Sequence, residues 1–192
     1  MKKIDLVLGG VGGQGILTIA GVIAQTALRA GLNVKQSEVH GMAQRGGAVE
    51  AHLRLSPETV WSDLVPTGTA AVVCGMEPME ALRQRHYLAP GGCLVASTDP
   101  IPSGADYPPV ADLIAELRKT PDAVLLPAAE MARIAGNARA ANMVLLGAVA
   151  ARLKLPEATV RAVIADLFKS KGDDVVEANL KAFAAGQDAA SY

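Results

Sequence analysis

The fold of this chain is decided by the stretch Gly9-Gly10-Val11-Gly12-Gly13-Gln14-Gly15. The largely apolar segment from Lys3 to Leu8 precedes it and predicts a short strand. The apolar run from Ile16 to Ala30 follows it and predicts a helix, which Gly31 ends. The local order is therefore strand, glycine-rich turn and helix, which is the order found at the start of many α/β folds.

The glycine-rich stretch leaves two interpretations open. It matches the pattern G-x-G-x-x-G, in which backbone amides and a helix N-terminus face a phosphate, and it equally suits a tight turn that binds nothing. The dinucleotide-binding version also requires an acidic residue about 20 positions further on, and Glu38 stands near that place. A Walker loop is excluded because Ile16 occupies the position of its lysine. The candidate phosphate-binding residues are Gly10, Gly12, Gly13, Gln14 and Gly15.

A second informative stretch runs from Ser37 to Val49. It combines a carboxylate, an imidazole and a guanidinium, carried by Glu38, His40 and Arg45. Three glycines interrupt it, so we expect a loop rather than a regular helix or strand. Predicted strands flank it, and α/β folds place chemistry or partner contacts in loops at strand ends. A solvated surface loop is the plain alternative.

The strand predicted from Ala48 to Leu55 alternates apolar and polar residues. A strand with one polar face suits an edge or an antiparallel excursion better than the centre of a parallel sheet, so we expect His52 to be exposed. The segment from Thr59 to Trp61 is expected to pair back to this strand as a hairpin. Trp61, the single tryptophan, is expected to fill the core or an interface.

The rest of the chain alternates predicted strands and helices. Continuous apolar runs predict covered strands at 69–76, 93–97 and 123–126, with a turn at 90–92. Helices are predicted around or after Pro78, Val110, Pro127, Asn142, Pro156 and Val176. This order predicts an α/β fold: one three-layer α/β/α domain over residues 1–192, with a mostly parallel sheet and an antiparallel edge excursion. Asn142 and Asn179 fall on buried helix faces, where each requires a hydrogen-bond partner.

Composition excludes several classes of protein. The 192 residues are 51% hydrophobic and 3% aromatic, which suits one well-buried domain. A formal net charge of -1 gives no reason to expect nucleic acid or an anionic membrane as a partner. The chain shows no N-terminal leader and no apolar run near the roughly 18 residues of a membrane span, so we expect a cytoplasmic protein. Cys74 and Cys93 are expected to be buried, reduced thiols.

With these segments in place, the chain resembles the gamma subunits of the 2-oxoacid:ferredoxin oxidoreductases. Within that family it is most similar to the beta subunits of indolepyruvate ferredoxin oxidoreductases, which are gamma-type chains. The resemblance rests on four segments in family order, which together span nearly the whole chain: Gly10 to Gly15, Ser37 to Val49, Gly136 to Ala148, and Asn179 to Phe183.

The resemblance implies a role in oxidative decarboxylation of an aryl 2-oxoacid, such as indolepyruvate, to an acyl-CoA. It implies that a large partner subunit carries thiamine diphosphate, magnesium and [4Fe-4S] clusters, that CoA is a co-substrate and that ferredoxin accepts the electrons. The sequence has no Gly-Asp-Gly thiamine motif, since Gly172-Asp173-Asp174 lacks the second glycine, and no set of cluster cysteines. We therefore expect no cofactor on this chain alone, and no activity without the partner.

Polar chemistry at strand ends of an otherwise apolar chain motivates hypotheses for individual residues, in which the loop from Glu38 to Gly47 docks beside the partner's active site. His40 and Arg45 are expected to reach toward substrate or CoA, because arginine suits a carboxylate or phosphate and histidine can carry a proton. The amides of the glycine-rich stretch are expected to hold a CoA phosphate. Further candidates for contact with the partner's cofactor site are Glu38, Gln44, Gly46 and Asn142.

Three alternatives remain at this stage. The first is a gamma subunit of a pyruvate, 2-oxoisovalerate or 2-oxoglutarate enzyme, since substrate choice belongs mainly to the partner's pocket. The second is a stand-alone NAD(P)-binding protein of the Rossmann type. The third is a purely structural subunit that touches no ligand.

Overall fold

The computed structural model describes residues 3–41, 46–102 and 106–191. These residues form one six-stranded sheet with the strand order β2-β3-β1-β4-β5-β6. β1, β4, β5 and β6 are parallel to one another, whereas β3 is antiparallel to both β1 and β2. The strands are β1 (Ile4–Val11), β2 (Asn33–His40), β3 (Ala48–Ser56), β4 (Ala70–Gly75), β5 (Leu88–Ser97) and β6 (Ala123–Leu126).

Helices cover both faces of this sheet. α1, α4, α5, α6 and α7 lie on one side and α2 and α3 on the other. The predicted three-layer α/β fold is therefore confirmed, and its antiparallel part is the β2–β3 pair with β2 at the edge. The helices are α1 (Ile16–Arg29), α2 (Pro78–Gln84), α3 (Val110–Leu117), α4 (Ala128–Ile134), α5 (Ala141–Leu153), α6 (Glu157–Phe168) and α7 (Asp173–Ala190), with single 3-10 turns at Arg85–Tyr87 and Lys169–Lys171.

Successive residues of a strand face opposite sides of the sheet, so each strand contributes to the core on both faces. Leu6 and Leu8 of β1 face the five-helix layer, while Val7 between them faces α2 and α3. In the five-helix layer, α5 and α7 pack closely because glycine stands at their contact: a Cβ added to Gly147 would lie 2.0 Å from the carbonyl oxygen of Phe183. Asn179 of α7 has the partner that was predicted, since its Nδ2 donates to the carbonyl of Val175 at 2.7 Å.

The polar face of β3 is buried, which contradicts the prediction that His52 is exposed. His52 is only 2% exposed, because residues 57–65 fold back over this face of the sheet. The backbone N–H of Val65 donates to His52 Nδ1 at 3.1 Å, so the imidazole proton lies on Nε2 and is donated to Glu50 at 2.5 Å. Beside them, Arg54 Nε donates to the buried carboxylate of Asp5 at 2.9 Å.

Three local predictions were also wrong. The segment from Thr59 to Trp61 forms no strand, because the residues that follow it meet β3 through side-chain contacts with Arg54 and His52 instead of a strand ladder. Trp61 is 90% exposed, so it is not in the core, and its placement at an interface stays a prediction. The residues 90–92 lie within β5 rather than in a turn. Ser37 to His40 continue β2 instead of forming a loop, because they pair residue by residue with β3.

In the parts of the chain that the structure describes, no helix has the length and apolar character needed to cross a membrane.

Candidate functional site

The glycine-rich stretch divides between a strand and a turn. β1 extends through Gly9 and Gly10 to Val11, and the turn itself spans 12–15. Gly13 and Gly15 have φ values of 106° and 85°, which L residues with a side chain rarely adopt. Gly15 is the N-cap of α1 and no side chain caps this helix, so the first-turn amides point toward the space in front of the turn.

Gln14 fixes the turn from within. Its Oε1 accepts from the backbone N–H of Val11 at 2.7 Å, and its Nε2 donates to the carbonyl of Met76 at 3.0 Å. Met76 in turn donates its N–H to the carbonyl of Gly9 at 2.8 Å, just beyond the end of β4. Gln14 therefore positions the turn against the neighbouring strand, and both polar groups of its side chain already have partners inside the chain.

The structure joins the two stretches that the sequence singled out. The N–H of Gly12 donates to the carbonyl of Gly47 at 2.8 Å, and the N–H of Gly46 donates to the carbonyl of Gly12 at 3.3 Å. These bonds continue the β1–β3 ladder beyond the ends of both strands. The glycine turn and the residues that lead into β3, Gly46 and Gly47, are consequently joined at the same end of the sheet.

A cavity of about 420 Å³, here named the hairpin cavity, opens between these joined segments and the start of α1. It is lined by Gly12, Gly13, Gly15, Ile16, Leu17, Glu38, His40 and Val49. His40 Nε2 lies 3.7 Å from Glu38 Oε1, and its Nδ1 lies 3.0 Å from the carbonyl of Gly41. Both side chains remain partly exposed, at 43% and 35%, so they can contact a ligand or a partner.

A second cavity lies on the other side of Gly13, where β1 and β4 end. This switch-point cavity has a volume of about 550 Å³, and its polar lining comes from Gln14, Ser97, Asp99, Arg139 and Asn142. The Asp99 Oδ2 accepts from the Ser97 hydroxyl at 2.7 Å and from the N–H of Ala129 at 2.7 Å. Asn142 sits against the glycine turn, since a Cβ on Gly15 would lie 2.5 Å from its Nδ2.

The predicted hydrogen-bond partner of Asn142 is not found. Among the hydrogen bonds of residues 3–41, 46–102 and 106–191, none uses the Asn142 side chain, although the residue is only 9% exposed. Its side chain therefore stands at the wall of the switch-point cavity without a hydrogen-bond partner among the described residues. The position of Asn142 beside Gly15 links the N-terminus of α5 to that of α1.

The end of β4 is anchored by a buried carboxylate. Glu77 is 1% exposed and caps α2, with its Oε1 accepting from the N–H of Glu80 at 2.6 Å. Its Oε2 accepts from the Tyr107 hydroxyl at 2.5 Å. Burial raises the pKa of Tyr107, and the hydrogen bond to the Glu77 carboxylate raises it further. Burial also raises the pKa of Glu80, against the lowering effect of Arg83. These hydrogen bonds join Tyr107 and the start of α2 where the chain leaves β4.

The structure brings some of the predicted site residues together and not others. Glu38, His40, Gly12, Gly13 and Gly15 share the hairpin cavity. Gly10 lies in β1, where a Cβ would meet the Met76 side chain at 2.7 Å, so its role there is close packing. Gln44 and Arg45 lie outside the described residues.

Sequence reasoning missed Asp99 and Arg139. The available signal was positional: Asp99 follows the strand that ends at Ser97, and Arg139 precedes the buried helix α5. Within the described part of the chain, no group of three or more His, Cys, Asp or Glu side chains is placed to hold a metal ion. Cys74 and Cys93 are free and buried.

Comparison with known proteins identifies the family. The sequence profile described as "Pyruvate ferredoxin/flavodoxin oxidoreductase" matches residues 5–189. This chain belongs to that family. The chain is 41% identical to the indolepyruvate oxidoreductase subunit IorB of Archaeoglobus fulgidus, over 98% of this chain and 96% of the relative. It is 39% identical to IorB of Thermococcus kodakarensis, over 99% of this chain and 97% of the relative.

Other members of the family carry the same unit inside longer chains. The ketoisovalerate oxidoreductase subunit VorA of Methanothermobacter marburgensis is 29% identical over 97% of this chain, which corresponds to 36% of VorA. A 2-oxoglutarate:ferredoxin oxidoreductase from Magnetococcus marinus, solved with 2-oxoglutarate, coenzyme A and succinyl-CoA bound, is 27% identical, with a TM-score of 0.78. The match covers 99% of this chain and 31% of that one. The chain thus spans about a third of these two relatives.

A further solved structure shares the fold over its full length. The keto/oxoacid ferredoxin oxidoreductase gamma subunit of Geobacter sulfurreducens gives a TM-score of 0.72 at 22% identity and covers 97% of this chain and 98% of that one. The expected family and the expected gamma-type fold are confirmed, and the chain is an oxidoreductase subunit of this family.

Proposed function

We propose that this chain is the gamma-type subunit of a CoA-dependent indolepyruvate ferredoxin oxidoreductase. The complex decarboxylates an aryl 2-oxoacid oxidatively, forms an acyl-CoA and passes the electrons to ferredoxin in the cytoplasm. One observation carries the choice of substrate: four IorB proteins match over 95–99% of this chain at 34–41% identity, whereas the two VorA proteins reach 29%.

A large partner subunit supplies the reactive cofactors in this proposal. In VorA and in the 2-oxoglutarate enzyme, about two thirds of the chain lies outside the unit that this protein represents. We assign thiamine diphosphate with magnesium and the [4Fe-4S] clusters to the corresponding partner of this chain. Thiamine diphosphate and the clusters supply carbanion and one-electron chemistry when bound there, and the present chain positions CoA and closes the site.

The glycine turn is the proposed contact with CoA. Its positive-φ glycines and the uncapped N-terminus of α1 provide backbone donors suited to a phosphate. The hairpin cavity beside it contains His40, which can carry a proton, and Glu38, which orients that imidazole from 3.7 Å. Arg45 is proposed from the sequence to pair with an anionic group of CoA or substrate. The 2-oxoglutarate enzyme with CoA bound supports this class of ligand for the family.

The stand-alone nicotinamide alternative does not fit the topology. In the dinucleotide-binding order the first two strands are neighbours, whereas β3 separates β1 from β2 here and runs against both. The turn and Glu38 do meet in one cavity. They do so across an antiparallel hairpin that the Rossmann arrangement lacks.

Reconstitution with the partner tests the proposed activity. The chain is co-expressed with a candidate large subunit from the same organism, and dye reduction is measured with indolepyruvate, pyruvate, 2-oxoisovalerate and 2-oxoglutarate, each with CoA. We expect the highest kcat/KM for indolepyruvate and no turnover by either chain alone. A higher kcat/KM for one of the other 2-oxoacids would overturn the substrate assignment. Turnover by this chain alone would overturn the assignment of the reactive cofactors to the partner subunit.

The CoA contact is tested with two glycine variants. Gly13→Ala replaces a residue at φ 106° that has open space around a Cβ, so it strains the turn without a clash. We expect the KM for CoA to rise about tenfold, since a loss of roughly 1.4 kcal/mol of binding has that effect. Gly21→Ala in α1, where a Cβ also meets nothing, is the matched control. An unchanged KM for CoA in an assembled Gly13→Ala complex would exclude this role.

A further inference from the structure

β2 forms an open edge of the sheet. Within the described residues it is bonded to β3 on one side, and no strand lies on its other side. All eight of its residues are exposed or half-buried. An edge strand of this length presents a row of unpaired N–H and C=O groups, to which a strand from another chain can add. The β2 edge is therefore a candidate interaction surface.

Exposed apolar side chains gather around this edge on both faces of the sheet. Of the eight large hydrophobic side chains that are exposed in the described part of the chain, six belong to β2 or to segments beside it. On one face these are Val39 of β2 itself and, in the loop after β3, Trp61 and Leu64. This loop lies next to β2 because the carbonyl of Leu64 accepts from Arg54, which pairs with Lys35 of β2. The three on the other face belong to α1 and α6 and are Leu17, Leu28 and Leu167. Such clusters of exposed apolar residues mark interaction sites.

A groove of about 600 Å³ lies between β2, α1 and α6. Its lining includes Gln36 of β2, Gly21 and Ala24 of α1, and Leu167 of α6. A Cβ added to Gly21 would meet no atom within 4 Å, so this side of α1 is open. Because Gln36 lies at the middle of β2, and Gly21 and Ala24 lie at the middle of α1, the midpoints of the strand and the helix are at the same level.

The outward side of α1 is symmetric about its midpoint. Leu17, Gly21, Ala24 and Leu28 are separated by four, three and four positions, so they lie on one face of the helix. If two such helices pack antiparallel with their midpoints together, Leu17 of one copy meets Leu28 of the other, and Gly21 meets Ala24. The small central residues permit close approach, and the leucines bury apolar area at both ends. This reciprocity is the property of an interface between two identical chains about a two-fold axis.

The charges of β2 select one register for the pairing of two copies. A two-fold axis perpendicular to the sheet keeps each face on its own side, so it sets residues of the same face opposite each other. Centred on Lys35 or on Glu38, the pairing sets like charges opposite each other, which is unfavourable. Centred on Ser37, it sets the Gln36 amide of one copy opposite the Glu38 carboxylate of the other, beside the hairpin cavity. The same register brings Lys35 into the row of the partly exposed Glu50 of the other copy, so opposite charges approach each other on both sides of the axis.

We propose that two copies of this chain associate about a two-fold axis at the β2 edge, so that β2 pairs antiparallel with β2 around Ser37 and α1 packs antiparallel on α1. In each copy α1 packs on both β2 and β3. Since neighbouring strands are about 4.8 Å apart, the two α1 axes come to lie roughly 10 Å apart, which is close to the spacing of packed helices. The surface brings together roughly 20 residues of each copy, the number found in a standard interface.

Sedimentation equilibrium of the full chain tests the association. We expect a monomer–dimer equilibrium whose larger species has twice the mass of the chain. A chain that remains monomeric at about 1 mM, where even a weak specific interface is occupied, would overturn the proposal. Such a result would leave the proposed CoA contact unaffected, because that contact is measured as a KM in the complex with the large subunit.

Amide hydrogen exchange tests the strand pairing separately. The outward N–H groups of β2 are unpaired in a monomer and hydrogen-bonded in the dimer, so residues 33–40 are expected to exchange more slowly as the protein concentration rises through the dissociation constant. Residues 123–126, which form the opposite edge strand β6, are the internal control and are expected to show no change. Equal exchange of residues 33–40 in monomer and dimer would exclude the pairing of β2 with β2.

A charge pair placed at the two ends of the outward side of α1 tests the register. Leu17→Glu and Leu28→Lys each introduce a charge into an apolar contact twice per dimer, so each single variant is expected to raise the dissociation constant at least about a hundredfold. In the double variant L17E/L28K every introduced carboxylate faces an introduced ammonium group of the other copy, so we expect the constant to return to within about tenfold of the wild type. Within one helix the two positions are roughly 16 Å apart, so this rescue requires the second copy.

Ile134→Glu is the matched control, since Ile134 is 73% exposed on α4 and lies outside this surface. It is expected to dimerise as the wild type does. Leu17 and Leu28 are about half exposed, so their variants are expected to fold as the wild type does, which circular dichroism checks. Single variants that stay dimeric, or a double variant that does not recover, would contradict the proposed interface. If the chain alone is monomeric and the single variants lose only their affinity for the large subunit, the surface belongs to that subunit and the proposal is wrong.

Discussion

The two halves of the sheet bury polar groups in different ways. In the parallel half, formed by β1, β4, β5 and β6, helices cover both faces and the interior of β4 and β5 contains free thiols rather than charges. In the antiparallel half, β3 has one apolar face toward α1 and one polar face. Both faces are nevertheless buried, because residues 57–65 fold back over the polar one. Alternation therefore shows which residues share a face, but it does not show whether that face meets solvent.

The polar face of β3 is stabilised by specific pairing. Arg54 contacts the Asp5 carboxylate and also donates to the carbonyls of Ser62 and Leu64 at 3.0 and 3.1 Å. His52 joins Glu50, which also accepts from the hydroxyl of Tyr87 at 3.1 Å. Each buried charge has partners from two or more segments, as burial of charge requires.

Removal of one member of the buried pair is expected to have the largest effect. Arg54→Ala leaves the Asp5 carboxylate, which is 6% exposed, without its main partner. We expect a loss of about 3 kcal/mol in the free energy of unfolding, measured by chemical denaturation, with Lys3 at 3.2 Å supplying partial compensation.

The matched control is the exposed pair of Arg29 and Asp166, whose side chains are 42% and 63% exposed. Arg29→Ala is expected to cost at most about 0.5 kcal/mol because solvent screens such pairs. Similar losses in the Arg54 and Arg29 variants would show that the polar face is not buried as described.

The five-helix layer is stabilised by close packing of α5 against α7 instead of by paired polar groups. Gly147→Ala places a methyl group 2.0 Å from the Phe183 carbonyl oxygen and forces α5 and α7 apart. We expect a loss of about 2 kcal/mol in the free energy of unfolding, although alanine is the better helix former.

Gly21→Ala, a glycine in the middle of α1 where a Cβ meets nothing, is the control for this prediction. It is expected to gain up to about 1 kcal/mol from helix propensity alone. If Gly147→Ala were also stabilising, the close approach of α5 and α7 would be disproved.

The smallest expected effect per residue concerns the two thiols of the parallel half at alkaline pH. Burial raises the pKa of Cys74 from 9.0 to about 12 and that of Cys93 to about 11. Because these folded-state pKa values lie above the unfolded ones, the thiols contribute stability that is fully present below pH 9.0 and is lost as the pH rises through the folded values.

Between about pH 8 and pH 10 the wild type is expected to lose about 1 kcal/mol per thiol to ionisation in the unfolded chain. The double variant Cys74→Ala/Cys93→Ala should lose correspondingly less in the same denaturation series. Parallel pH profiles for the two proteins would refute buried, protonated thiols.

The candidate site was only partly visible in the sequence. Glu38, His40 and the glycine turn were found because unusual residue types stand close together in the chain. Arg139 and Asp99 were missed because each is an ordinary charged residue near a predicted element boundary, and only folding brings both to the cavity that Gln14 and Asn142 line. Asn142 was recognised as a polar residue on a buried face, but its contact with Gly15 joins positions more than a hundred residues apart.

The amino-acid order by itself determined the succession of strands and helices, the turn after β1 and the likeness to one enzyme family, because these depend on periodicity and short motifs over a few neighbouring residues. Only the tertiary structure decided that His52 and Arg54 are buried, that Gly12 bonds to Gly46 and Gly47, and that two cavities flank Gly13. The physical reason is that a polar group takes its partner from whichever distant segment crosses its face of the sheet, and no local pattern contains the path of that segment.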